Sequence, residues 1–204
     1  MTPAQQNDVH IVIPAAGASS RLGVAKQTVA VHDKPLWRHT LDKALSLNCP
    51  VSLVTGCWSP NEPLPQGVNL LHCPNWQQGL GNSIAFGVSS IAPPAKGYLI
   101  LLIDQWRLTA KALYEFVQQW DGKQIQVAKD LNYTGPPVLF PAHFRQQLST
   151  LSGNKGAQKL IRKQRSHVVA VKNARWDLDT PQDLTTMQEL INSNKEKEEH
   201  YDLA

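Results

Sequence analysis

A chain of 204 residues is long enough to bury one substantial core and short for two, so a single domain is expected. Its 42% hydrophobic and 18% charged residues exclude disordered and fibrous classes. A net charge of +4, scattered along the chain instead of gathered into a stripe, gives no signature of nucleic-acid binding and suits a small polyanion equally well. The three cysteines, Cys49, Cys57 and Cys73, lack CxxC spacing, which disfavours a disulfide framework or a structural zinc site, and the seven histidines form no close pair. No basic segment leads into an apolar one at the N-terminus, and no apolar run nears the ~18 residues needed to cross a bilayer. A cytoplasmic protein without membrane contact is the expectation.

Short runs rich in Val, Ile and Leu begin at Val9, Val51, Val68, Tyr98, Ile125 and Val168, and read as strands of a largely buried sheet. Helical patterns alternate with them over Leu36–Leu47, Asn82–Ser90, Thr109–Trp120, Pro141–Leu151 and Thr180–Ile191. Thr109 and Thr180 are placed as N-caps, the second followed by a proline at the first helical position. The alternation predicts a single α/β domain over residues 1–192, with 193–204 as a charged, fraying tail.

The first strand runs into Ala15-Ala16-Gly17-Ala18-Ser19-Ser20-Arg21-Leu22-Gly23, with Lys26 three residues on. Small residues let backbone amides approach phosphate oxygens, while Arg21 offers a planar fork and Lys26 a point charge. The loop is no Walker A motif: Gly17 to Gly23 is one residue too long and no Lys-Ser/Thr pair follows Gly23. An ordinary βα turn with two surface cations accounts for the spacing equally well.

Asp104 follows the run beginning at Tyr98, where open α/β sheets place their ligands, and a carboxylate there suits Mg²⁺. Trp106 beside it reads first as core filling. Asp177 and Asp179 alternate, which on an extended segment puts both on one side, and Asp183 fits the first turn of a helix.

These segments together resemble the nucleotidyltransferases of molybdenum cofactor maturation. The signature AAGxSxRxGxxK stands at Ala15 to Lys26, and Trp176 to Asp183 is similar to the family's DIDTPED motif. The stretch from His72 to Ile84 resembles its NPxWxxGMxxS segment through Asn75, Trp76, Gly79 and Ser83, and Asn132 to Phe140 resembles GxxGHPVLF. Loop wording of the type PAAG with RLGVAK favours the cytidylyltransferase branch. The resemblance implies a Rossmann-like, mostly parallel sheet of the nucleotide-diphospho-sugar transferase type. It implies CTP held by Ala15, Ala16, Gly17, Ser19, Arg21, Lys26, Asn75, Gly79 and Ser83. It further implies Mg²⁺ on Asp104 with Asp177 or Asp179, and catalysis by Lys26, Arg21 and Asp104. Molybdopterin would be the acceptor and a molybdoenzyme the recipient of the product. The chain departs from the pattern at Trp106, at Pro136 and at Gly153-Asn154-Lys155-Gly156-Ala157-Gln158, where the family has GDxGAR. These departures leave room for a sugar phosphate or another phosphorylated acceptor, or for a non-catalytic cofactor-binding chaperone.

Overall fold

The computed structural model describes residues 8–201. Strand β1 (Val9–Pro14) is followed by a small antiparallel pair, β2 (Ala30–Val31) and β3 (Lys34–Pro35), and by helix α1 (Leu36–Leu45). Next come β4 (Val51–Thr55), β5 (Val68–His72), α2 (Leu80–Ser89), β6 (Gly97–Ile100) and α3 (Ala110–Gln118). The hairpin of β7 (Ile125–Asp130) and β8 (Tyr133–Pro141) leads to α4 (Arg145–Ser149), α5 (Gln158–Arg162), β9 (Ser166–Ala170) and α6 (Pro181–Tyr201). Seven strands form one sheet in the order β5-β4-β1-β6-β8-β7-β9, parallel except for β8, which runs against both neighbours. This is the expected α/β, mostly parallel architecture.

The central strands β1, β4 and β6 are buried at every position because helices cover both faces of the sheet. Side chains alternate across the pleat, so Ile11 and Ile13 join Leu36, Leu41, Phe116 and Met187 on one side. Val12 joins Ile84, Val88, Phe140 and Leu148 on the other. Each such buried aliphatic side chain contributes roughly 1.5–3 kcal/mol through removal from water. Helix α2 lies close on the sheet through Gly87, where a Cβ would stand 2.7 Å from Val12 Cγ1 and 2.8 Å from Val54 Cγ2. The last turn of α2 is thereby held against β1 and β4.

Strand β8 was not anticipated, since Gly135, Pro136, Pro137 and Pro141 break the strand pattern. The register jumps from Val127↔Val138 to Ala128↔Gly135, so the two prolines sit in a bulge outside the ladder, where their missing N–H groups cost nothing. The last third of the chain differs elsewhere too. The segment 141–151 is a 3₁₀ turn, Ala142–Phe144, followed by the short α4, and α5 arises in a stretch not read as helical. Helix α6 continues through the expected tail to Tyr201. Its start matches the reading: Thr180 Oγ1 accepts from the Asp183 amide, and Asp183 Oδ2 accepts in return from the Thr180 amide at 2.7 Å. Cys49 and Cys73 are buried and Cys57 is exposed. Among the described residues no helix is long and apolar enough to cross a membrane.

Candidate active site

A cleft of about 620 Å³ opens at the carboxyl end of β1 and β6. One wall is the loop after β1, anchored by Ala15 N–H donating to Val54 O at 2.8 Å and by Ala16 O accepting from the Cys57 amide at 3.0 Å. The chain reverses at Ser19, which adopts φ 53° and accepts at its carbonyl from the Leu22 and Gly23 amides. Ser19 Oγ also accepts from the Lys26 amide at 3.2 Å, which ties the start of the loop to its end. The amides from Gly17 to Arg21 donate to no group among the described residues. A run of unsatisfied N–H groups at a concave surface is an anion cradle.

Lys26 stands at the centre of the charge arrangement. Its Nζ donates to Asp104 Oδ2 at 3.0 Å and to Asp179 Oδ1 at 3.3 Å, and Arg21 Nη2 reaches Asp179 Oδ2 at 2.6 Å. Burial is the largest influence on Lys26 and favours its neutral form, but the two carboxylates outweigh it and hold the pKa above the ordinary lysine value. The ammonium is therefore charged at neutral pH. Arg21, with 75% of its side chain exposed, closes the network from the solvent side.

Asp104 is delivered just past β6, and its backbone carbonyl accepts from the Leu178 amide at 3.1 Å, which docks the Asp177–Asp179 run beside it. Asp104 Oδ1 is buried and has no partner among the described residues. A buried carboxylate oxygen without a donor is costly unless a cation completes it. Asp104 and Asp179 thus offer hard oxygen ligands to a divalent ion, with the remaining positions open to water and phosphate. Among the described residues no group of three or more His, Cys, Asp or Glu side chains gathers as an all-protein cage. The arrangement fits a divalent cation held between carboxylates and phosphate.

A sequence profile of the MobA-like NTP transferase domain matches residues 11–168. The chain belongs to this family. MobA-like NTP transferases are nucleotidyltransferases, and relatives of known structure repeat the fold. The purine catabolism protein PucB of Bacillus subtilis is 26% identical over 189 residues, spanning 84% of this chain and 92% of PucB. The crystal structure of Rv0371c from Mycobacterium tuberculosis superposes with a TM-score of 0.79 at 24% identity, over 90% of this chain and 99% of that one. A second Rv0371c structure, a complex with manganese, gives a TM-score of 0.75 at 22% identity, covering 89% of this chain and 98% of that one.

Within this MobA-like framework most of the residues singled out from sequence come together. Ala15, Ala16, Gly17, Ser19, Arg21, Lys26, Gly79, Ser83, Asp104 and Asp179 all line the cleft. Two do not. Asn75 is exposed and lies outside the cleft, where its carbonyl closes the 3₁₀ turn Trp76–Gln78 by accepting from the Gln78 amide. Its neighbours Trp76, Gln77 and Leu80 form the wall instead. Asp177 is also outside, because the chain is still turning there, its amide donating to Arg175 O at 3.1 Å, and the two acids do not share a side. Partial burial, and then the negative charge of Asp104, raise the Asp177 pKa above the usual carboxylate range. Trp106 is core, 6% exposed and edge-on to Trp176.

The start of α2 is bound into the loop that precedes α5. The Gly81 amide is taken by Gly153 O at 2.8 Å, and Asn82 Oδ1 accepts from the Gly153 amide at 3.1 Å. Gly79, at φ 109°, lets the 153–154 loop press against it, which brings Asn154 into the cleft wall.

Two glutamines had no sequence signal. Gln27, 1% exposed, donates from Nε2 to Ala15 O at 2.8 Å and Gly17 O at 2.7 Å, which fixes the loop carbonyls. Gln105, also 1% exposed, donates to Pro136 O at 2.6 Å and Ala174 O at 2.7 Å, which fixes the Asp104 turn against the β8 bulge and the C-terminal segment. Both act through ordinary amide side chains, and only the tertiary arrangement reveals them.

Proposed function

We propose that the protein transfers CMP from CTP to the terminal phosphate of molybdopterin and releases pyrophosphate. The observation that carries the reading is the meeting of Lys26, Asp104 and Asp179 beneath a loop of unsatisfied amides. That is a place for a polyphosphate and a divalent cation together. The PAAG and RLGVAK wording of the loop supports CTP as the donor.

In this mechanism the amides from Gly17 to Arg21, together with the Lys26 and Arg21 cations, hold the triphosphate and orient its α-phosphorus. An acceptor phosphate oxygen bonds to that phosphorus as the bond to the β-phosphate oxygen breaks, and the electron pair leaves on pyrophosphate. Lys26 and Arg21 stabilise the charge that accumulates on the departing group. A Mg²⁺ held by Asp104 and Asp179 would supply Lewis-acid neutralisation of the same phosphates. No side chain forms a covalent intermediate, so rate enhancement comes from positioning and electrostatics.

Pyrophosphate release with Mg²⁺ and molybdenum-loaded molybdopterin, compared across CTP, GTP, ATP and UTP, tests the proposal. Turnover with CTP alone is expected. Release with CTP only when a sugar phosphate replaces molybdopterin would move the acceptor to that class, and binding without release would favour a carrier protein. Lys26→Ala is expected to lose on the order of 10²- to 10³-fold in turnover; full activity in that variant would remove the role given to the loop. A cytoplasmic setting and transfer of the product to a molybdoenzyme follow from the same reading.

A further inference from the structure

Beside the cleft, but not lining it, lies a cluster of rings and guanidinium groups. Trp106 and Trp176 meet edge to face with centroids 6.2 Å apart. The Arg107 guanidinium carbon sits 5.6 Å from the Trp106 ring centre and 5.0 Å from that of Trp176. Arg175 stacks on Trp176 at 4.8 Å and pairs with Asp130 at 3.4 Å. Arg107 has no such pair: it is half-buried, and among the described residues nothing accepts a hydrogen bond from its guanidinium. An arginine fixed by two indoles with its donors unspent is organised in advance for a planar or tetrahedral oxyanion.

Its place in the chain gives the oxyanion an identity. Arg107 follows Asp104 by three residues through a tight turn, with the Trp106 amide donating to Asp104 O at 2.9 Å. Its stacking partner Trp176 directly precedes Asp177 and Asp179. Asp104 and Asp179 line the neighbouring cleft, and its cations, Lys26 and Arg21, are engaged with them on the triphosphate side. Arg107 is a further cation on this flank whose guanidinium is not spent on a carboxylate among the described residues.

We infer that Arg107, held by Trp106 and Trp176, is the residue that binds the phosphate of the acceptor. This rests on the nucleotidyl-transfer reading above and assigns the half of the site that reading left without residues. Guanidinium and phosphate would pair through two parallel hydrogen bonds.

The test uses the full chain with Mg²⁺ and α,β-methylene CTP to fill the donor half, followed by titration with phenyl phosphate. Tryptophan fluorescence reports binding, since two indoles touch Arg107. Phenyl phosphate is expected to bind and phenol not. Arg107→Ala should weaken phenyl phosphate by about tenfold or more while the affinity for the CTP analogue stays within about twofold. Arg107→Gln, which keeps a planar group on the rings, should show the same loss and guards against a packing defect. Equal phenyl phosphate affinity in wild type and both variants, or equal binding of phenol, overturns the inference. If the CTP analogue fails to bind while phenyl phosphate still depends on Arg107, the nucleotidyl reading falls and the phosphate site stands.

Discussion

The two ends of the sheet carry openings of comparable size and opposite character. At the amino end a groove of about 810 Å³ runs along β1, β4 and β5 and exceeds the 620 Å³ cleft at the carboxyl end. Yet its ionisable groups are already paired. His10 Nε2 meets Ser52 Oγ at 2.9 Å, and Lys96 pairs with Asp8 at 2.9 Å. Burial lowers the His10 pKa to about 4, so the ring is neutral at neutral pH. At the carboxyl end the buried oxygens Gln27 Oε1, Asp104 Oδ1 and Gln105 Oε1 and the loop amides have no partner among the described residues. Chemistry follows unspent hydrogen-bonding capacity and not the volume of a hole.

That contrast can be broken in several ways. Asp104→Asn is expected to cut pyrophosphate release by on the order of 10²- to 10³-fold; turnover near wild type would place the chemistry elsewhere. Gly79→Ala forces a Cβ onto Asn154 Oδ1 and to 2.6 Å from the Gly153 carbonyl carbon, at a φ of 109°. A loss of roughly 2–3 kcal/mol is expected in denaturant unfolding, and an unchanged midpoint would mean that the 153–154 loop moves freely.

At the amino end the prediction concerns pH. The His10 pKa falls to about 4 in the fold from its usual 6.5, so below pH 6.5 the unfolded chain takes up the proton first. The stability His10 contributes is full above about pH 6.5 and is lost as pH falls toward 4, by roughly 3 kcal/mol in all. His10→Gln, which can still bond Ser52, should flatten the pH dependence of unfolding in that window, and an identical slope would assign it to other groups. The smallest effect is expected from Lys96→Ala: its side chain is 76% exposed, so the loss should stay below about 0.5 kcal/mol, with turnover within about twofold. A large fall in activity there would make the amino-end groove functional.

Lys26, Asp104 and the acidic pair were legible in sequence because loops that follow buried strands must lie where ligands enter. Which acid of the pair joins the cleft was not legible, since it depends on the turn that consumes the Asp177 amide. Asn75 matched a motif and still falls outside, because its carbonyl closes the 3₁₀ turn and the indole of Trp76 takes the wall position. Strand β8 was hidden by its prolines, and the bulge that accommodates them also turns Pro136 O toward Gln105 Nε2 and Tyr133 Oη. The feature that masked the strand is one that secures the Asp104 turn.

The tie made by Gln105 has a consequence in time. It joins positions 31 and 69 residues further along the chain, and the Lys43 ammonium holds the carbonyl of the same residue from 62 residues before it. Lys26 and Asp179 meet across 153 residues. Contacts of such sequence separation form late, because long loops must close before they are rewarded. A growing chain exposes the glycine-containing loop early, but it lacks Asp179, the second carboxylate that steadies Lys26, until 153 further residues have been added. Assembly of the Lys26–Asp104–Asp179 cluster is thus a late event in folding.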